Sequence, residues 1–417
     1  MGLFASLSKS VKGFSSIFWV ANTLEVFERF AFYGAKAVLV VFLIDKVGLK
    51  NEAGSLAGFF TFLIYGLPIL AGVLVDRYGF RRTLMACFAI FSVGYFLIGM
   101  AGMQWSAEIV AAIGNRTYII IVLTFTAIGG SLIKPCIVGT VGRTSSADSR
   151  TLGFSIYYSL VNFGGAVGPV LAYFIRTDLG IEWVLITSSI TCFLLFFGTM
   201  FFFREPPAAA GQPTEQKTFG RVFADMMTVF RDRKVMLFLL IFSAFWLMFW
   251  QIYYLIPVYA MDVLHYDQFE FLESVDGWFI MFFSLFMGTV FSKWKVFTAL
   301  IFGFVVSSLS WILIMAYGTT WSVVVAIIFF ALGEGTLSPR FYEYMYSLAP
   351  PSQTGTYMGF AFLPVAIGAF AAGFISDWLR LTYMETNPSM MWIILASIGI
   401  FSTVLLILYD RFLVKKT

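Results

Sequence analysis

Six ionisable side chains stand inside stretches of this sequence that are otherwise apolar. They are Glu25, Glu28, Arg29, Lys36, Lys134 and Glu334. Each costs about 2.5–3.5 kcal/mol at the centre of a membrane-spanning helix. We therefore expect these side chains to have charged partners, contact with water or a functional role. Three acids and three bases sum to zero, which favours mutual pairing. A carboxylate can take up a proton when its cation withdraws, so the set could drive a proton-coupled switch. A permanent salt-bridge network is the alternative.

Four of the six residues share one face of the first predicted helix. At 100° per residue, Glu25, Glu28, Arg29 and Lys36 fall within an arc of about 100°. Glu25 and Lys134 each lie about eight residues from the inner end of their helix. Because each residue advances a helix by 1.5 Å, the two side chains lie at equal depth in the membrane. We expect these two side chains to meet, and Glu334 to face the same cavity from the other half of the chain.

The elements that position these charges are predicted to be membrane-spanning helices. The chain has 417 residues, of which 60 % are hydrophobic and 12 % are charged, whereas soluble globular domains carry about 25 % charged residues. A contiguous nucleic-acid-binding patch is absent from the sequence. An all-α fold of twelve transmembrane helices is predicted. The spans are 17–44, 53–75, 83–103, 117–142, 151–175, 183–203, 235–261, 271–292, 296–317, 321–347, 354–377 and 389–410.

The distribution of Lys and Arg predicts the orientation. Nineteen of them fall at the termini and in the loops on one side, and five fall in the loops on the other. By the positive-inside rule both termini are cytoplasmic. The first helix has no cleavage site after it and is predicted to be retained. The predicted location is a bacterial or archaeal inner or plasma membrane, with several crossings.

The sequence divides into two predicted six-helix bundles. Residues 1–203 form the first, residues 204–234 a cytoplasmic linker rich in Pro and Ala, and residues 235–417 the second. Residues 127–129 are similar to residues 331–333, and Pro135 and Pro339 follow at the same distance. This similarity favours two related halves, which is a transporter architecture with the substrate site between the halves. Chance similarity of Gly-rich helices is the alternative.

Several motifs resemble those of the proton-dependent oligopeptide transporters, a branch of the major facilitator superfamily. Residues 25–34 (EVFERFAFYG) are similar to the ExxERFxYYG motif of that branch, and residues 72–82 (GVLVDRYGFRR) resemble the loop 2–3 signature of the superfamily. Further matches are residues 134–138 (KPCIV), 154–165 (FSIYYSLVNFGG) and 333–339 (GEGTLSP). The resemblance covers helices 1 to 11 and implies a superfamily fold of two six-helix bundles.

The resemblance also implies roles for individual residues. The proton-coupling set would be Glu25, Glu28, Arg29, Lys134 and Glu334. The substrate site would comprise Tyr33, Lys36, Tyr65, Asn162, Trp250 and Glu334, with a basic residue receiving the carboxylate of a peptide and Glu334 near its amino group. A cytoplasmic gate would comprise Asp76, Arg77, Arg81 and Arg82; these residues could instead be simple topology anchors.

Three features depart from the family pattern. Lys36 occupies a position where the family usually has Arg. A lysine cannot form the bidentate hydrogen bonds to a carboxylate that an arginine forms. Trp250 stands where helix 7 usually has an acid, so Lys134 would pair with Glu25 or Glu334 instead. Helix 8 lacks the family's Asn-Pro.

Residues 262–276, which include the only histidine, His265, are predicted to form an acidic outer loop.

The leading hypothesis is a proton-coupled importer of short peptides or peptide-like compounds. It would be monomeric, would need no cofactor or metal besides the proton gradient, and would not be an enzyme or bind nucleic acid, since no nucleophile, base or metal cluster is evident. Transport of another amphipathic solute, including drug efflux, and a non-transporting sensor remain alternatives. The three cysteines, Cys87, Cys136 and Cys192, are predicted to be packing residues without a disulfide.

Overall fold

The computed structural model describes residues 13–146, 149–206, 219–291, 293–350 and 354–414, and these residues fold into helices without a strand. The first half contains α1 (Ser16–Asp45), α2 (Ala53–Gly66), α3 (Pro68–Tyr78), α4 (Phe80–Met100), α5 (Ala107–Ile113), α6 (Asn115–Ser131), α7 (Ile133–Thr144), α8 (Arg150–Leu179) and α9 (Ile181–Phe202). The rest contains α10 (Phe219–Arg231), α11 (Arg233–Tyr254), α12 (Ile256–Asp262), α13 (Phe269–Phe291), α14 (Val296–Tyr317), α15 (Thr320–Leu348), α16 (Thr354–Phe360), α17 (Leu363–Tyr383) and α18 (Pro388–Tyr409).

Local chemistry fixes where several of these helices begin. The Ser15 hydroxyl accepts a hydrogen bond from the Phe18 amide at the start of α1, and Thr319 and Ser322 form a reciprocal capping box at the start of α15. Gly79 and Gly180 have φ values of 80° and 114°. Glycine tolerates these values, so the chain can turn sharply between α3 and α4 and between α8 and α9.

Each predicted span falls on one of these helices or on a pair of consecutive helices. Within the described ranges, nine helical segments are long and apolar enough to cross a membrane, and the bent pair α2 and α3 makes a tenth. The helices α1 and α13 carry buried charges and lie outside that number. The predicted count of twelve crossings, the placement of the termini and the three-part division of the chain therefore stay predictions, and most of the linker, residues 207–218, lies outside the described residues.

The outer loop predicted at residues 262–276 is wrong in its second part. Helix α13 begins at Phe269, so Glu270, Glu273 and Asp276 lie on a helix, and all three are buried. These acids are spaced three residues apart, which places them on one helical face. That periodicity, rather than their charge, was the correct guide to local structure.

The two halves pack tightly against each other along two pairs of helices. In the first half α1 packs on α8 and α9, and in the second α14 packs on α15 and α18. Between the halves, α2 packs on α17 and α8 packs on α13. At the α2–α17 crossing, Gly54 and Gly58 face Gly373 and Ala369, so close that a Cβ atom on Gly58 would lie 2.6 Å from the Ala369 carbonyl oxygen.

Polar contacts close the side that the charge pattern places outside. The Asp377 carboxylate accepts hydrogen bonds from the Gly54 and Ser55 amides at 2.9 and 2.7 Å, which caps the start of α2 from the other half. Arg176 at the outer end of α8 donates to Glu270 and to the Asp267 carbonyl on the other side of the α8–α13 contact. The halves are therefore joined at their outer ends.

A methyl group at the α2–α17 crossing should separate the outer ends. We expect Gly58→Ala to lower the free energy of unfolding by about 1–3 kcal/mol, because the helices must move apart to admit the Cβ atom. The matched control is Gly72→Ala, where a Cβ would have nothing within 4 Å. Thermal unfolding of the purified protein measures both variants, and equal melting temperatures would contradict the close approach.

Candidate functional site

The first-half charges form one buried cluster on α1. The Arg29 Nε atom lies 2.5 Å from Glu28 Oε2 and 3.4 Å from Glu25 Oε1. The three side chains are 0–3 % exposed. Their spacing along α1 puts them on one face, so a single guanidinium serves two carboxylates.

Lys134 joins this cluster from α7. Its Nζ atom lies 4.0 Å from Glu25 Oε1. The Tyr157 hydroxyl on α8 links the two more closely, since it accepts from Lys134 Nζ at 3.1 Å and donates to Glu25 Oε1 at 3.4 Å. The structure thus brings Glu25 and Lys134 together, as their equal depths predicted, and makes Glu25 rather than Glu334 the partner of Lys134.

Glu334 lies on α15, in the other half, and has a partner that sequence reasoning missed. That partner is Asp276 on α13, whose side chain lines the same cavity. Asp276 Oδ1 and Glu334 Oε2 are buried and lack a hydrogen-bond partner among the described residues. The predicted outer loop 262–276 and the predicted span 271–292 both included Asp276, and its spacing from Glu270 and Glu273 was the signal that favoured the helix.

Lys36 lies in a cage of aromatic rings instead of an ion pair. Its Nζ atom is 3.6 Å from the ring centroid of Trp250, 3.4 Å from that of Tyr253 and 5.3 Å from that of Tyr33. The side chain is 5 % exposed, and Nζ has no hydrogen-bond partner within the part of the chain that the structure describes. Aromatic faces attract cations most strongly where water is excluded. Lys36 and Trp250, two departures from the family pattern, therefore contact each other.

A cavity of about 880 Å³, counting its open mouth, separates the two sets of charges. Six of the predicted site residues line it, namely Tyr33, Tyr65, Lys134, Asn162, Trp250 and Glu334. Lys36 lies behind Trp250 and Tyr253. Other lining residues are Tyr158, Trp246, Phe249, Tyr253, Asp276 and Tyr342. The cavity thus has a cation on one wall, two carboxyls on the other and aromatic rings between them.

The balance of buried charge differs from the zero predicted from six residues. Around the cavity, adding Glu273 and Asp276 to the six predicted residues gives five carboxyls, with Glu25, Glu28 and Glu334, against the three cations Arg29, Lys36 and Lys134; Lys134 and Glu334 are half-buried and the others are buried. If all were ionised the sum would be 3 − 5 = −2. Buried charges without partners are costly, so this excess requires protons, a cationic ligand or both.

The described hydrogen bonds of the predicted gate residues go to the first half and to Glu205 at the start of the linker, and α3, which carries Arg77, also packs on α10 and α16. Arg81 donates to the Met200 carbonyl, and the Phe80 and Arg81 amides donate to the Glu205 carboxylate at 2.6 and 3.0 Å. Arg77 lies over the ring of Tyr78, and Arg82 is exposed. The side chain of Asp76 lies outside the described residues. A gating role for this set stays a prediction.

Comparison with known proteins identifies relatives for this arrangement. A sequence model described as Major Facilitator Superfamily matches residues 23–373. Dipeptide and tripeptide permease B of Aliivibrio fischeri is 29 % identical over 185 residues, 43 % of this chain and 34 % of the permease. Peptide transporter family 1 of Drosophila melanogaster is 26 % identical over 190 residues, 44 % of this chain and 24 % of the transporter. The matched segments thus span about a third or less of these relatives.

Solved structures share the whole fold. A POT family transporter in complex with 5-aminolevulinic acid has a TM-score of 0.78 at 17 % identity, covering 94 % of this chain and 96 % of its own. A POT family transporter in complex with a thioalcohol-conjugated peptide has the same TM-score at 16 % identity, covering 96 % and 99 %. The resemblance inferred from the motifs and the all-helical fold that it implied are confirmed.

Loss of the shared guanidinium should destabilise the cluster on α1. Arg29→Met leaves two buried carboxyls without their closest cation, so we expect the free energy of unfolding to fall by about 3–5 kcal/mol. Arg116→Met is the matched control, since Arg116 pairs with Glu52 at 2.7 Å but is 68 % exposed, and should cost less than about 1 kcal/mol. Thermal unfolding of both variants tests this, and equal losses would show that the cluster contributes no more than a surface pair.

Proposed function

Because this chain belongs to the major facilitator superfamily, we propose that it is a proton-coupled transporter that imports short peptides or peptide-like compounds by alternating access. The observation that carries the proposal is the cavity between the halves, with Lys134 on one wall and the Asp276–Glu334 pair on the other. A free peptide has an anionic and a cationic end, and opposite charges on opposite walls suit both ends.

The relatives support peptides as the substrate class. Two of the matched proteins are a dipeptide and tripeptide permease and a peptide transporter by name, and solved structures of the same fold hold 5-aminolevulinic acid and a peptide conjugate. These names favour peptides over the efflux and sensor alternatives. In our proposal Lys134 receives the carboxylate of the peptide, Glu334 receives its amino group, and aromatic rings accept varied side chains.

Coupling would arise from competition for Lys134. In the structure, Lys134 and Arg29 together face Glu25 and Glu28. A substrate carboxylate that draws Lys134 away leaves two carboxyls with a single cation, and one of them can then bind a proton. Proton and substrate would thereby bias the same conformational equilibrium.

Alternating access would require the outer contacts to open. The Arg176–Glu270 pair and the Asp377 cap on α2 join the halves on that side. Rocking of one half against the other would break both and expose the cavity to the outer solution.

The protein is an integral membrane protein that crosses the membrane several times. Membership in a transporter superfamily sets an enzymatic role aside. We propose that the protein resides in a bacterial plasma or inner membrane, acts as a monomer and uses only the proton gradient, without a cofactor.

Purified protein in proteoliposomes tests the function directly. We expect wild type to accumulate labelled di- and tripeptides under an inward proton gradient. Glu28→Gln should lose this accumulation, because an amide can neither bind nor release the coupling proton, yet it should still exchange peptide without a gradient. The matched control is Glu108→Gln, which removes an exposed carboxyl on α5.

Two results would decide against parts of this proposal. Absence of gradient-driven peptide uptake by wild type would rule out peptide import. Unaltered gradient-driven accumulation by Glu28→Gln would remove Glu28 from the coupling mechanism and leave peptide transport standing.

Blocked peptides test how the cavity orients its substrate. We expect N-acetylation and C-amidation each to weaken binding about tenfold or more, because each removes a charge-assisted hydrogen bond that contributes about 1.5–3 kcal/mol. Competition against uptake of a labelled dipeptide measures the loss. Dipeptides with free ends and different side chains are the control, and equal binding of free and blocked peptides would contradict the two-wall arrangement.

A further inference from the structure

The helix α10 carries a stripe of exposed apolar side chains. Phe223, Met227 and Phe230 are 60 %, 38 % and 42 % exposed. They follow each other at intervals of four and three residues, so they lie on one side of the helix within an arc of about 60°. A contiguous exposed apolar stripe of this kind marks a contact surface.

The neighbouring side of α10 packs on the protein. Val229 is completely buried, and Met226 is half-buried against the core. At 100° per residue, these two residues lie about 120° and 60° from Phe223. Thr228 lies about 140° from Phe223 in the opposite direction and is exposed. The helix therefore has an apolar side that contacts the protein, an apolar side that is exposed, and a polar side.

The contacts of α10 place it beside both halves, on the side that the charge pattern places inside. It packs on α11 and α16 of the second half and on α3 of the first. The ring centroid of Phe230 lies 5.0 Å from that of Phe360 on α16. The helix therefore lies at the inner junction of the two halves, with most of its apolar stripe uncovered.

The lipid-facing surface begins next to α10. Only Asp232 separates it from α11, one of the helices that are long and apolar enough to span a membrane. Leu237, about 6 Å into α11, is already exposed. With 13 residues α10 is about 20 Å long, which is too short to cross a hydrocarbon core of about 30 Å. An amphipathic helix in this position suits the interface between membrane and water.

Two arginines flank the stripe at the end of α10. Arg231 lies about 80° from Phe223 around the helix and is exposed, and Arg233 at the start of α11 is exposed as well. Asp232 between them caps α11 and accepts a hydrogen bond from the Tyr357 hydroxyl at 3.1 Å. Both guanidinium groups thus lie where a spanning helix enters the membrane, at the level of anionic lipid headgroups.

We propose that α10 is an interfacial helix that docks on the inner leaflet of the membrane. The stripe of Phe223, Met227 and Phe230 inserts among the acyl chains, and Arg231 and Arg233 bind anionic phospholipid headgroups. Because α10 also contacts α3 and α16, the lipid surface holds it at the inner junction of the halves. This docking goes beyond the proposed transport function and does not depend on which substrate the cavity takes.

Spin labels on α10 test the docking. The three native cysteines are buried, so a cysteine introduced at an exposed position is labelled selectively, and wild type measures the background. The protein is held in nanodiscs of phosphatidylcholine and phosphatidylglycerol in equal parts. Labels at Phe223→Cys and Met227→Cys should collide several-fold more often with molecular oxygen, which concentrates among acyl chains, than with a water-soluble nickel chelate. The matched control is Thr228→Cys on the polar side, where the nickel chelate should collide more often.

Two results would overturn the docking. Nickel access at Phe223→Cys and Met227→Cys equal to that at Thr228→Cys would place the stripe in water. Shielding of both stripe positions from both reagents would mean that protein covers the stripe, either another segment of this chain or a second copy.

Lipid composition tests the role of the arginines. The oxygen-to-nickel ratio at Phe223→Cys should fall when phosphatidylcholine replaces the phosphatidylglycerol, because the headgroups then no longer attract the arginines. Adding Arg231→Gln and Arg233→Gln together should abolish this dependence, whereas Arg116→Gln, which removes another exposed arginine, should keep it. A ratio that is the same in both lipids would overturn the headgroup contact. None of these measurements needs a substrate, so they decide the docking whether or not wild type imports peptides.

Discussion

The cost of placing charge where water is excluded governs the interior of this protein. The ionisable groups around the cavity meet that cost in different ways. Arg29 and Lys134 pair with carboxylates on α1, Lys36 lies in an aromatic cage, and Asp276 and Glu334 line the cavity together. Because none of these arrangements is much more stable than hydrated charge, a proton or a substrate can shift any of them.

The helices position these groups so that they can be shifted. The α1 cluster belongs to one half and the carboxyl pair to the other, and the cavity lies between them. Tight glycine contacts and a carboxylate cap hold the outer ends together. In the proposed alternating access the halves would move as bodies, and a change in the charges across the cavity would act on the contact between them.

Sequence reasoning predicted the helical segments and six of the residues that line the cavity, because apolar length and intramembrane charge are strong local signals. It placed Glu25 beside Lys134 from equal depth alone, and the structure brings them together. It did not count Glu273 and Asp276 among the buried ionisable residues, because both the predicted span 271–292 and the predicted acidic outer loop 262–276 included them and the acids were assigned to the loop. Periodicity of three would have kept both on a helix, but their burial depends on what packs against that face.

The sequence by itself determined that the chain is helical, apolar and charged at a few inner positions, since hydropathy and helical period are properties of short segments. Only the tertiary structure decided which charges meet. Lys36 lies against Trp250, and Asp276 lines the same cavity as Glu334. These pairs join residues far apart in sequence, and their contacts depend on how whole helices cross, which no local pattern encodes.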